Sequence, residues 1–252
     1  MSEFPSHARC VVIGAGIVGN CLVGHLSEMG WEDIVLLDKG PLPNPGGSTG
    51  HASNFIFPCD HSKEIVDLTL ESQRQYEELG LQNTCGGIEV ARSEERMEEF
   101  QRRMTSAKCW GIPSSLLSPA EVKELVPFIS EDVILGGFYT PSVSAVDSLE
   151  TGTQMRKKAQ EAGNLQVFAN TEVLDIETTQ GTNKPKIEAV VTDKGRIECE
   201  TVVIASGVWS PRLAEMAGAT IPLTPAVHHC LLYTSDAADD MQCVDLGGRR
   251  II

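Results

Sequence analysis

Gly14, Gly16 and Gly19 stand at the spacing G-x-G-x-x-G inside RCVVIGAGIVG, residues 9–19. That spacing suits one chemistry, the holding of a pyrophosphate. The first glycine lets the chain turn sharply out of a strand, the second lets backbone approach the phosphates, and the third lets the next helix pack on the sheet. Ile17 and Val18 open that helix, whose N-terminal amides and dipole favour an anion. Asp38 closes IVLLD, about 20 residues further on, where an acid accepts from a ribose hydroxyl. The loop KGPLPNPGGSTGHASNF, residues 39–55, then offers small residues that let backbone lie against a flat ligand. Its Ser48 and Thr49 hydroxyls suit phosphate or ring oxygens, and it carries one histidine, His51.

These groups need a strand–helix–strand unit to position them. Val11, Val12 and Ile13 form an apolar, β-branched run that reads as a buried strand. The helix is predicted over 17–29 and the second strand over 31–37. Glycine spacing alone is a weak signal; strand, glycine loop, helix, strand and terminal acid together are a strong one. A nicotinamide-type domain continues with further helix–strand alternation, and the loop after Asp38 departs from that. Helices are predicted over 61–79, 94–107, from Pro119 to just before Pro127, and from Asp147 to 162. The last two begin with capping signals, Ser118 with Glu121 and Asp147 with Glu150. Strands are predicted over 86–91, 135–141, 166–169, 171–178, 187–192, 196–200 and, as a separate apolar run, 201–206. The fold class is therefore α/β: a Rossmann-like dinucleotide domain carrying an inserted mixed, mostly antiparallel domain.

The chain of 252 residues is 41% hydrophobic and 22% charged, the balance of a globular protein. Its formal net charge of −15 argues against nucleic acid or an anionic membrane as partner. No apolar run approaches the ~20 residues of a membrane span. The N-terminus has neither a signal-peptide core nor an Arg-rich amphipathic face, which predicts a cytoplasmic protein. Eight cysteines include no C-x-x-C pair, so they are expected to be reduced, and no metal site is predicted.

VVIGAGIVG, IVLLDKGPL, PGGSTGHAS, LGGFYTPSVSAVD, TVVIASGVWSP and IPLTPAVHH together resemble the glycine-oxidase/sarcosine-oxidase-like family of FAD-dependent amine oxidoreductases, in particular its dimethylglycine oxidase, dimethylglycine dehydrogenase and sarcosine dehydrogenase members. The resemblance runs from Arg9 to His228. It implies FAD as cofactor and oxidation of a secondary or tertiary amine at carbon. Carried over by position, Gly14, Gly16, Ile17, Val18 and Gly19 hold the pyrophosphate, and Asp38 takes the adenosine ribose with Lys39 beside it. Ser48, Thr49, Gly50 and His51 lie along the flavin, Phe55 contacts the cofactor, and the Val173 backbone meets the adenine. His51 matches a histidine that carries the flavin covalently in relatives; a packing role beside a non-covalent flavin is the alternative, since Gly50, Ser53 and Asn54 differ from the usual neighbours. His228 matches an active-site histidine, suited to relay the proton of a substrate ammonium. His229 replaces the usual glutamine.

The implied organisation is an FAD-binding first part over 8–80, a substrate domain over 81–146, an FAD-binding second part over 147–218 and a return toward the substrate domain over 219–229. Residues 230–252 depart from the family pattern. CLLYTSDAAD resembles the conceptual translation of a transposon-end sequencing adapter, so this tail reads as non-native and the fold as truncated at its C-terminus, with an inactive fragment expected. The electron acceptor, oxygen or an electron-transfer flavoprotein, is left open, and tetrahydrofolate enters only through a missing C-terminal region. An NAD-dependent dehydrogenase and a non-catalytic dinucleotide-binding module are the competing readings.

Overall fold

The computed structural model describes residues 4–179 and 185–226. His228, His229 and residues 230–252 lie outside the described residues. Along the chain run β1 (His7–Ile13), α1 (Ile17–Glu28), β2 (Ile34–Leu37), β3 (Phe55–Ile56), α2 (Lys63–Glu78), β4 (Gln82–Thr84), β5 (Gly87–Ala91), α3 (Glu94–Cys109), β6 (Ser115–Leu117) and α4 (Pro119–Leu125). There follow β7 (Gly136–Thr140), β8 (Ser144–Val146), α5 (Ser148–Glu161), β9 (Leu165–Phe168), β10 (Val173–Thr178), β11 (Ile187–Thr192), β12 (Gly195–Ile204) and α6 (Ser210–Met216). Contacts divide them into two compact units, one of Met1–Gly19, Met29–Ser53 and Gly163–Ile252, the other of Asn20–Glu28 and Asn54–Ala162.

The first unit is built on a six-stranded sheet in the order β10-β11-β12-β1-β2-β9. β12, β1, β2 and β9 are parallel, and β10, β11 and β12 are antiparallel. Val11, Val12 and all four residues of β2 are buried, because an apolar run without alternation needs cover on both faces. Trp31 was expected inside β2, but the strand begins only at Ile34. Asp33 takes a left-handed backbone (φ +55°), and both its carbonyl and its carboxylate accept from the Arg9 amide, at 2.9 and 3.1 Å. The Trp31 ring instead lies 4.3 Å from the Arg9 guanidinium.

The strands expected separately over 196–200 and 201–206 are one strand, β12. Its first half pairs with β11, Ala189 opposite Glu198 through Thr192 opposite Gly195, while Glu198 through Ile204 pair with β1. The switch from alternating RIECE to continuous TVVI marks a change of neighbours, not a break in the strand. Ile197 and Cys199 face the core with Val173, Ile176 and Val190.

The second unit holds two three-stranded antiparallel sheets, β3-β8-β4 and β5-β7-β6, so the mixed, mostly antiparallel expectation holds. Its core centres on Phe100 of α3 stacked on Phe138 of β7, ring centroids 5.8 Å apart. The predicted caps are formed: Ser118 and Glu121 close a capping box on α4, and Asp147 accepts from the Leu149 and Glu150 amides. Arg103, buried in this core, pairs with Glu89 at 2.8 Å and donates to the Cys59 carbonyl at 3.1 Å. β3, β4, β6 and β8 were not expected; strands of two or three residues carry no period to read. Among the described residues no helix is long and apolar enough to cross a membrane.

The cysteines give a labelling prediction. Burial pushes the thiols of Cys21 and Cys199 up to about 11. Cys85 and Cys109 are exposed. Among the described cysteines, iodoacetamide at pH 8 should therefore modify Cys85 and Cys109 first and leave Cys199 untouched until unfolding. The same burial links stability to pH. In the unfolded chain these thiols ionise from about 9, so the contribution is complete below that pH and is lost as pH rises toward about 11. Mass mapping of the label at pH 8, and urea midpoints on either side of pH 9, check both; early labelling of Cys199 would contradict the burial.

Candidate functional site

The C-terminal ends of β1, β2 and β12 meet at the glycine loop. The Gly14 amide donates to the Leu37 carbonyl at 2.8 Å, and both the Ala205 amide and the Ser206 hydroxyl donate to the Ile13 carbonyl at 2.8 Å. Gly14 has φ +110°, and a Cβ there would lie 2.5 Å from the Ala205 oxygen. At Gly19 a Cβ would lie 1.8 Å from the Gly14 oxygen, so the first turn of α1 sits directly on the loop. At Gly16 only the Thr49 hydroxyl comes near, at 3.1 Å. The sharp turn at Gly14 and the close packing at Gly19 are two of the tasks that the spacing assigns, and the open space at Gly16 is what the third requires.

Gly16 opens onto a cavity of about 260 Å3. The loop and α1 line it with Gly14, Gly16, Ile17 and Val18, and the end of β2 with Asp38 and Lys39. Ser48 and Thr49, from the short 3-10 turn Ser48–His51, and Val173 of β10 complete the predicted part of the wall. Among the sequence-predicted residues of this unit, Gly19, Gly50 and His51 are not in the wall. Gly50 packs on the Asn44 side chain, and His51 is exposed, its Nδ1 donating to the Gly47 carbonyl at 3.0 Å. Phe55 belongs to the second unit, where it is half exposed beside Phe57. The predicted catalytic His228 falls outside the described residues.

Asp38 has a structural task at the cavity wall. Its carboxylate accepts from the Ala15 amide at 2.7 Å and from the Gly40 amide at 2.8 Å, tying the glycine loop to the turn after β2. Each carboxylate oxygen has a further lone pair, so capacity for a hydroxyl donor remains. Thr49 Oγ1 accepts from the Ile17 amide at 2.9 Å and so fixes the turn against the start of α1. Trp209, Arg212, Leu213 and Met216, from α6 and the turn before it, add a further part of the wall. Their spacing, i, i+3, i+4, i+7, is that of one helical face.

A glycine cradle at a helix N-terminus, an acid at the end of the second strand and an apolar far wall fit a dinucleotide. The family of FAD dependent oxidoreductases matches residues 9–250. The chain belongs to that family. Its cofactor is FAD, as expected, and the nicotinamide alternative is set aside. This FAD-dependent oxidoreductase is 33% identical over 241 residues to a mitochondrial sarcosine dehydrogenase of Mus musculus, covering 91% of this chain and 26% of that protein. It is 32% identical over 237 residues to the mitochondrial pyruvate dehydrogenase phosphatase regulatory subunit of Mus musculus, covering 90% and 26%. Among solved structures it superposes on L-proline dehydrogenase from P. horikoshii with a TM-score of 0.77 at 27% identity, covering 85% of this chain and 57% of that one. The chain thus spans about a quarter of the length of these curated relatives.

Proposed function

We propose that this FAD-dependent oxidoreductase, in its full-length form, oxidises the C–N bond of a secondary or tertiary amine of the sarcosine or dimethylglycine class. The observation that carries the proposal is the similarity to sarcosine dehydrogenase, which extends over 91% of the chain. When bound, FAD supplies the two-electron acceptor for such an oxidation. Gly14, Gly16, Ile17 and Val18 hold the pyrophosphate against the α1 N-terminus, and Asp38 accepts from the ribose while keeping the loop in shape. Ser48 and Thr49 fix the near wall, with Thr49 already bound to the Ile17 amide. His51 lies on the flavin side, and His228 takes the proton of the substrate ammonium.

The test is anaerobic mixing of FAD-loaded full-length protein with sarcosine, dimethylglycine and a cyclic secondary amine. Loss of the visible flavin band within turnover times is the expected result. A protein that holds FAD but is bleached by none of them would remove the catalytic assignment. It would leave the reading of a non-catalytic dinucleotide-binding module, which the relative named as a regulatory subunit favours.

A further inference from the structure

We propose that Trp209 is a positioning residue of the FAD site: its indole holds the Lys39 ammonium and the Gly47 end of the Ser48–His51 turn in place at the cavity wall. The inference rests on the FAD assignment and adds to it a residue that is not among those carried over by position.

Lys39 Nζ lies 4.8 Å from the centroid of the Trp209 ring, within the reach of a cation–π contact. Lys39 is exposed and makes no ion pair among the described residues. A lysine of this kind has a flexible four-carbon stem and no reason to remain beside a cavity unless something holds it. The indole is what holds it. The same ring reaches Gly47, where a Cβ would stand 3.8 Å from Cζ3, so the turn rests against the far edge of the ring. Gly47 opens the turn that carries Ser48 and Thr49, and its carbonyl receives the His51 ring. Trp209 is itself fixed by its backbone: its amide donates to the Ser206 carbonyl at 3.1 Å, at the point where β12 passes into α6. One side chain therefore links three segments that line the cavity: the end of β2, the hydroxyl-bearing turn and the start of α6. In a chain of net charge −15, a cation kept at the wall of a site for a diphosphate has an evident electrostatic purpose.

The test is fluorescence titration of full-length apoprotein with FAD, all in a His51→Asn background that keeps the flavin dissociable, for the otherwise wild-type chain, Trp209→Leu, Trp209→Phe, Lys39→Met and the Leu/Met double variant. Trp209→Leu and Lys39→Met should each weaken FAD about tenfold, within the range of a cation–π contact. The double variant should lose little more than either, about twentyfold at most, because both remove one coupled contact. Trp209→Phe keeps an aromatic face and should stay within about threefold of wild type. The salt dependence of the dissociation constant should flatten equally in Trp209→Leu and Lys39→Met. A tryptophan that only packs the fold would weaken FAD with the salt dependence intact and add to Lys39→Met, giving about a hundredfold loss in the double variant; that result overturns the proposal. Wild-type affinity in Lys39→Met, an exposed substitution that leaves the fold alone, overturns it too. Failure of wild type to bind FAD would instead remove the cofactor assignment and the clamp with it.

Discussion

Gly19→Val should leave no folded protein, whereas Gly16→Val should leave the fold and remove FAD. The two glycines are three residues apart in one loop, and their surroundings differ completely. A Cβ at Gly19 would stand 1.8 Å from the Gly14 carbonyl oxygen and 3.5 Å from the Ala205 side chain. The atom in the way is backbone, in a loop whose own amide is bound to Leu37 on the neighbouring strand. Neither α1 nor the loop can withdraw without breaking the β1–β2 junction. The cost should reach or exceed the ~3 kcal/mol at the upper end of overpacking, a large part of the ~5–15 kcal/mol that holds a domain together. At Gly16 the nearest atom is the Thr49 hydroxyl at 3.1 Å, the end of a side chain, and the rest of the space is cavity. Valine there projects methyl groups where a pyrophosphate must approach backbone. Circular dichroism and thermal unfolding of both variants, with FAD occupancy from the visible spectrum, separate the two effects. A Gly19→Val protein with a wild-type melting temperature, or a Gly16→Val protein with wild-type FAD occupancy, would contradict the assignment of roles.

The same contrast explains what was legible in the sequence. Strand, glycine loop, helix, strand and acid are all local, each within a few residues of the next, and they are found where the spacing places them. Helix caps such as Ser118 with Glu121 are local as well. What escaped depended on distant neighbours. Whether 195–204 is one strand or two is decided by β1 and β11 lying on its two edges, and a change of hydrophobic pattern alone looks like a break. That the Asp38 carboxylate spends two acceptor positions on Ala15 and Gly40 follows from the path of the loop, not from its composition. α6 is too short to declare itself, although Trp209, Arg212, Leu213 and Met216 keep one face throughout. His51 and His228, the candidates for chemistry rather than binding, rest on the resemblance alone, and His228 lies outside the described residues.

If His51 carries the flavin covalently rather than packing beside it, His51→Asn should yield a flavin released by acid. The hydrogen bond of the imidazole sets its tautomer. Nδ1 lies 3.0 Å from the Gly47 carbonyl oxygen, and a carbonyl oxygen can only accept. Nδ1 therefore carries the proton, and Nε2 carries the lone pair, so Nε2 is the ring nitrogen left free to act as a nucleophile. The ring is exposed, so no burial opposes its use. Its hydrogen bond is to its own turn, which fixes the tautomer without consuming the reactive nitrogen. Full-length protein precipitated with acid and digested should yield a flavin-bearing peptide containing His51, with fragment masses placing the link on the imidazole. In His51→Asn the flavin should appear in the acid supernatant, while FAD binding through Gly14, Gly16 and Asp38 persists, because those residues line the cavity and His51 does not. Flavin released by acid from the wild-type protein would reduce His51 to a packing role. A linkage found at Nδ1 would mean that the Gly47 hydrogen bond breaks before the bond to the flavin forms.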